Sequence, residues 1–341
     1  MAQPAGADGE DFIYRVVSRD TLLDLSKRYT GNASNWSQLR TLNGVDDPAR
    51  LPVGRELRIP FSLIPVIAAQ ASVIHMTGQA TVNERPLNTG IPIVEGDIVR
   101  TSGSSFITIE LADESRLMVP SDSVLHVKRL RMFQGTRLTD AILEVQSGAL
   151  ESDVAPLKSG VGRFEVITPV AVTGVRGTRL RVRANSNGTQ SEVVSGQARV
   201  KANRQGNVIV RAGQGAATDT SGALLGVRPL LPAPRLQTPY RDGGGWLLGF
   251  TPVPGAHAYL VRVTKDAEGT QQYSSARIDA PLASFRAPGP GHFYVVIRAI
   301  DRDGLMGEDA AVPFVGERGL LSRSGEPVLT GFGAQVTLSE F

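Results

Sequence analysis

The stretch Phe164–Arg183, FEVITPVAVTGVRGTRLRVR, decides the fold class of this chain. Phe164, Val166 and Ile167 open a run of aromatic and β-branched residues, the types enriched in strands. Pro169 limits that run, since proline cannot donate to a ladder and is confined to strand edges and ends. Gly174 and Gly177 bracket a predicted bend, and both are expected where the backbone turns tightly or another segment passes too close for a Cβ. Beyond the bend, Thr178, Leu180 and Val182 alternate with Arg179, Arg181 and Arg183. A period of two predicts a strand with one buried face and one basic, solvated face.

The rest of the composition agrees with a mainly β chain. The 341 residues include 37 glycines and 21 prolines, and so many turn formers with few helical patterns imply many short strands. The length allows two to three domains, and an apolar share of 41% supplies ordinary cores. No cysteine is present, which excludes thiol catalysis, disulfides and cysteine-bound metal. A formal charge of +3 is small for this size and gives no ground for a nucleic-acid partner. No apolar run reaches the ~18 residues of a membrane-spanning helix. Residues 1–11, MAQPAGADGED, are small and polar and are expected to be a flexible N-terminus; Ala2-Gln3-Pro4 has the look of a chain start left after signal cleavage.

Working outward, short strands separated by turn signals are predicted at Thr81–Glu84, Gly96–Thr101, Ser105–Leu111, Arg116–Val119 and Ser123–Val127. Asp113 and Glu114 fall in the hairpin turn Ala112–Ser115, where adjacent side chains point apart and stay solvated rather than forming a catalytic pair. The motif T-P-x-A-x-x-G-V-R-G-T-x-x-x-V at 168–182 holds no carboxylate, histidine or thiol. Together with G-D-x-V-x-T at 96–101, LADESRL, LEVQSGALES, SEVVSGQARV and VIVRAGQGAAT, it resembles the FecR-type domain of bacterial envelope proteins. The resemblance implies a central all-β domain over 66–230, either a solenoid or a rolled barrel. In iron-transport regulators such a domain relays a receptor signal to a membrane-bound segment, which has no counterpart in this sequence. An envelope scaffold or protein-binding role is the expectation that remains. Arg176, Arg179, Arg181 and Arg183, with Arg199, Lys201, Arg204 and Arg211, form either a surface for an anionic polymer or the plain solvated face of a sheet.

Residues 12–62 carry a different pattern. Ile13–Val17 reads as a strand, Thr21 as the cap of a helix bearing Leu22, Leu25 and Tyr29, and Ser34 as the cap of a second helix bearing Trp36, Leu39 and Leu42. Leu57–Pro60 closes the unit as a strand. This βααβ order, with Asp20-Thr21-Leu22 and the ending P-V-G-x-x-L-x-I-P, resembles a LysM domain, a module that binds N-acetylglucosamine polymers such as peptidoglycan. The resemblance implies a glycan site between two loops, Ser18, Arg19, Asp20, Thr21 and Leu22 on one side and Asp47, Pro48, Ala49, Arg50 and Leu51 on the other. Arg19 stands where the family commonly has glycine. Backbone amides and apolar carbons suffice for such a site, and no titrating group is needed. Leu22, Leu51 and Trp36 also fit a plain core role. The unit is expected to bind glycan by itself.

After Leu231-Pro232-Ala233-Pro234, a stiff linker, Phe250–Ala256 and Tyr294–Gly304 resemble a fibronectin type III-like β-sandwich over 235–315, followed by a tail at 316–341. Asp301 and Asp303 imitate the start of a calcium loop, but the downstream glutamate is absent and a turn is expected. His75, His126, His257 and His292 are scattered, and no nucleophile elbow, phosphate loop or paired-ligand spacing occurs. The sequence therefore predicts a mainly β, three-module, non-catalytic cell-envelope protein, periplasmic or otherwise exported. No catalytic residue, metal or cofactor is expected. Its expected partner is peptidoglycan or a related N-acetylglucosamine polymer, with an envelope protein as a second. Two other readings stay open: a periplasmic signalling or sensor protein acting through the FecR-type domain, and a cell-wall enzyme with unrecognised chemistry.

Overall fold

A computed structural model describes residues 4–8, 10–136, 138–154, 162–175, 178–203, 206–242, 245–316, 318–319, 328 and 337–338. The N-terminal unit has strands β1 (Pro4–Asp8), β2 (Asp11–Arg15) and β3 (Glu56–Pro60) around helices α1 (Leu22–Thr30) and α2 (Trp36–Asn43). β1 pairs with β2 from Pro4 to Asp8, so part of the segment expected to be flexible is an edge strand. Thr21 caps α1 as expected, its Oγ1 accepting from Asp24 N at 3.1 Å. The second cap differs: Asn32, not Ser34, accepts from a backbone amide, and it opens a 3-10 turn at Ala33–Asn35 before α2. Only Leu39 of the expected α2 stripe is fully buried; Trp36 is half-buried against the core and Leu42 is exposed.

This core is not closed within 12–62. Phe133 and Leu138 of the central domain belong to it, and Phe61 and Phe133 have ring centroids 4.4 Å apart. Gln134 N also donates to Pro65 O at 2.8 Å. A fragment ending at residue 62 would leave the Phe61 side of its core open to water.

Eighteen strands of the central domain form one hydrogen-bonded system, folded into two layers over a shared core. Sheet I runs from Arg85–Pro86 through Ala80–Val82, Ile98–Thr101, Val124–Phe133, Thr139–Asp153, Arg163–Ile167, Ala171–Val175 and Gln197–Ala202 to Asn207–Arg211. Sheet II runs from Pro92–Ile93 through Ala71–Thr77, Phe106–Glu110, Arg116–Val119, Thr139–Asp153, Arg179–Asn185, Gly188–Ser195 and Gln214–Thr218 to Leu224–Pro229. The 15-residue strand Thr139–Asp153 serves both layers, crossing at Gly148. There φ is 82° and a Cβ would overlap Ser123, so only glycine fits. From that crossing on, successive hairpins alternate between the sheets while the chain advances. This is a solenoid-like progression with open edges, not a closed barrel.

Two expectations about individual residues are corrected. Gly174 lies within the strand Ala171–Val175, and a Cβ there would meet nothing nearer than Glu165 Cγ at 3.9 Å, so it marks neither a tight turn nor a close approach. Gly177, with Arg176 and Arg204, lies outside the described residues. Asp113 occupies the hairpin turn as expected, accepting from Ser115 N at 3.0 Å, but it is buried rather than solvated.

The predicted basic face of Arg179–Asn185 is where sequence and structure part most. A third unit, sheets of three and four strands enclosing one core, forms the C-terminal β-sandwich and covers sheet II. Its contacts follow one straight register row on the outer face of that sheet: His75, Thr108, Met118, Glu151, Arg181, Glu192, Gly215 and Arg228. His75 Nε2 lies 2.9 Å from Gln272 O, and Thr108 donates to Thr270 O. Glu151 meets Arg298 at 2.8 Å, and Arg181 donates to Asp309 at 2.6 Å and to Gly307 O at 2.7 Å. Glu192 accepts from Met306 N at 3.1 Å, and Arg228 pairs with Asp301 at 2.8 Å and Asp303 at 2.6 Å. The two aspartates of the imitation calcium loop are thus partners of an arginine.

Arg181 is buried in this row instead of being solvated. Burial would raise the Glu151 and Asp309 carboxyls, but the guanidiniums of Arg298, Arg262 and Arg181 hold both well below the usual carboxylate range. Glu192 goes the other way: burial raises it despite Arg183 and Arg181.

Candidate functional site

The two loops expected to hold glycan are brought together by the backbone. Leu22 N donates to Pro48 O at 2.9 Å, linking the start of α1 to the loop before β3. A second clasp joins the end of β2 to the turn before β3, through Val16 N to Arg55 O at 2.9 Å and Gly54 N to Val16 O at 2.8 Å.

Each loop is shaped by one aspartate. Asp20 Oδ2 accepts from Val17 N and from the Tyr14 hydroxyl, both at 2.8 Å. Burial and this bond to Asp20 push the Tyr14 phenol up, so it stays a donor. Asp47 Oδ1 accepts from Ala49 N at 2.9 Å while Arg50 N donates to Asp47 O at 3.2 Å. Arg19 takes φ 74° in the first loop, a conformation glycine reaches without cost and an arginine does not.

The ten expected site residues fall into two groups. Leu22 and Leu51 are core side chains, and Asp20 and Thr21 spend their polar atoms on the turn and on Asp24. Ser18, Arg19, Asp47, Ala49 and Arg50 are exposed, and Pro48 is half-buried. Beside them in the chain stand apolar groups that sequence reasoning passed over: Val17 is 40%, Leu23 52% and Val53 71% exposed. Nothing in the local pattern separates these from core valines and leucines, so only the fold reveals them. The surface therefore combines small and charged polar groups with exposed aliphatic carbons. It can contact acetamido groups and sugar C–H faces.

Among the described residues no group of three or more His, Asp or Glu could hold a metal ion. The four histidines do not converge: His126 Nδ1 lies 3.2 Å from Glu144 on sheet I, whereas His75 sits in the sandwich interface. No helix among the described residues is long and apolar enough to cross a membrane.

Residues 14–60 match the family model "LysM domain" and residues 97–199 match "FecR protein". No curated protein matches. Among solved structures, two crystal structures described as of a candidate anti-sigma factor from Parabacteroides distasonis are similar at 16% and 15% identity, with TM-scores of 0.32 and 0.31. The similarity covers 39% of this chain and 59% of each of those chains. The chain thus joins a LysM domain at its N-terminus to a FecR domain at its centre.

Proposed function

We propose that this is a non-catalytic protein of the cell envelope that holds peptidoglycan, or a related N-acetylglucosamine polymer, in the groove between residues 18–22 and 47–51. The Leu22 N to Pro48 O bond carries the reading, because it sets the two loops side by side and leaves Ser18, Ala49 and Arg50 exposed. LysM and FecR domains are typical of envelope or periplasmic proteins, which supports an exported location. A single shallow site whose loops carry no net charge, Arg19 and Arg50 offsetting Asp20 and Asp47, implies a dissociation constant of roughly micromolar to millimolar.

The test is a titration of the full chain with N-acetylglucosamine oligomers, followed through backbone amide shifts. Shifts confined to the two loops support the reading; shifts elsewhere, or none at millimolar oligomer, refute it. The non-catalytic part has its own check, that purified protein releases no soluble muropeptides from sacculi. Reproducible release, abolished by changing one carboxylate or histidine, would refute it. The FecR match also favours a second reading, in which the central domain senses or signals through an envelope protein.

A further inference from the structure

Of the arginines and lysines singled out in the sequence, the fold sorts the described ones into two sets. Arg179, Arg181 and Arg183 lie on sheet II and bond to Glu268 O, Asp309 and Gly304 O of the sandwich. Arg199, Lys201 and Arg211 lie on sheet I, which the sandwich leaves uncovered. Arg199 pairs with Gly174 on one side and Ile209 on the other, Lys201 with Val172 and Asn207, and Arg211 with Gln197. Gln197, Arg199 and Lys201 alternate with buried Ala198 and Val200, so all three cations project from the outer face. All are exposed, and none forms an ion pair among the described residues.

In the middle of that face the cations are paired, while Arg85 and Arg100 stand exposed toward its opposite end. Arg129 and Arg163 share Asp140, and Arg131 holds Glu95 at 2.6 Å. Three cations stand close together on the last two strands, where Asn207–Arg211 is the sheet edge. Gly174 puts no side chain of its own beside Arg199, with Glu165 Cγ 3.9 Å from where its Cβ would stand, and Ile209 adds an aliphatic surface 40% exposed. With ~6.6 Å between alternate residues and ~4.8 Å between strands, the three cations span about 13 Å, the length of about four extended residues.

We propose that this basic row is a second wall-binding surface, which takes the carboxylates of peptidoglycan stem peptides while the N-terminal loops take the glycan. This rests on the wall-binding reading above, and charge complementarity selects the occupant: stem peptides carry several carboxylates along a short extended chain. The two contacts differ in kind. Exposed ion pairs are screened by salt, whereas contacts of a neutral sugar with a groove whose Arg19 and Arg50 are offset by Asp20 and Asp47 are not. Joined in one chain, they reinforce each other through effective concentration.

The experiment uses the full chain with intact sacculi and with sacculi stripped of stems by an amidase, at low salt and at about 0.5 M salt. Simultaneous Arg199→Glu, Lys201→Glu and Arg211→Glu should lower low-salt affinity for intact sacculi about tenfold, and leave high-salt binding and stripped-glycan binding unchanged. The matching triple glutamine variant should show a smaller loss in the same pattern, which guards against misfolding of the reversed one. Unchanged low-salt affinity in both variants would overturn the proposal. So would a salt-dependent component that survives on stripped glycan, or one that transfers undiminished to phosphatidylglycerol vesicles. If wild type ignores stripped glycan yet keeps stem-dependent binding, the groove reading fails and the basic row stands.

Discussion

Glu151 and Arg298, 147 residues apart in the chain, face each other in a bidentate pair, with Nη1 2.8 Å from Oε1 and Nη2 3.1 Å from Oε2. Arg298 is fully buried, and its other carboxylate, Asp309, is shared with Arg262 and Arg181, so removing the Glu151 charge leaves three buried guanidiniums crowded on Asp309. Glu151→Gln should cost about 3–5 kcal/mol, read as a lower urea midpoint of the full chain or as early release of the sandwich in limited proteolysis. Glu192→Gln should cost far less, because a neutral amide oxygen can still accept from Met306 N. Equal losses in the two variants would contradict this ordering.

The same groups fix the sign of the acid response. Glu151 and Asp309 are held below the carboxylate range by Arg298, Arg262 and Arg181 against the upward effect of burial. Their contribution is present above the unfolded value, about 4, and is lost as pH falls through the folded one. Glu192 is raised by burial, so its contribution is present below the unfolded value and lost as pH rises through the folded one. Urea midpoints should therefore fall below about pH 4.5, less steeply in Glu151→Gln than in wild type. Parallel profiles would show that Glu151 does not drive the acid loss.

Two glycines separate backbone need from sequence appearance. Gly188 has φ 114°, and a Cβ there would overlap the Thr218 carbonyl oxygen, so Gly188→Ala should destabilise by about 3 kcal/mol or more. Gly174→Ala should stay within about 1 kcal/mol of wild type, since its Cβ position is open. Thermal melts of the two variants decide the matter, and a reversed order would contradict the geometry.

The alternation Thr178, Leu180, Val182 was legible because burial of one strand face leaves a mark every second residue. All three are buried. The fate of Arg181 was not legible: its partner Asp309 lies 128 residues away, and nothing in a local pattern tells a solvated charge from one buried against another domain. The loops of the candidate site were readable from Asp20-Thr21-Leu22 and the Pro52-Val53-Gly54 turn. That Leu22 and Leu51 serve the core while Val53 faces water depends on packing, as does the place of Phe133 in the N-terminal core.

The measurement that bears most directly on wall binding is sedimentation of the full chain with purified sacculi at high salt, where the basic row is screened. Wild type should pellet. Ser18→Trp and Ala49→Trp, which alter exposed positions outside the core, should stay in the supernatant while melting like wild type. Variants that pellet as wild type does, or a wild type that does not pellet at high salt, would contradict glycan binding in the groove between residues 18–22 and 47–51.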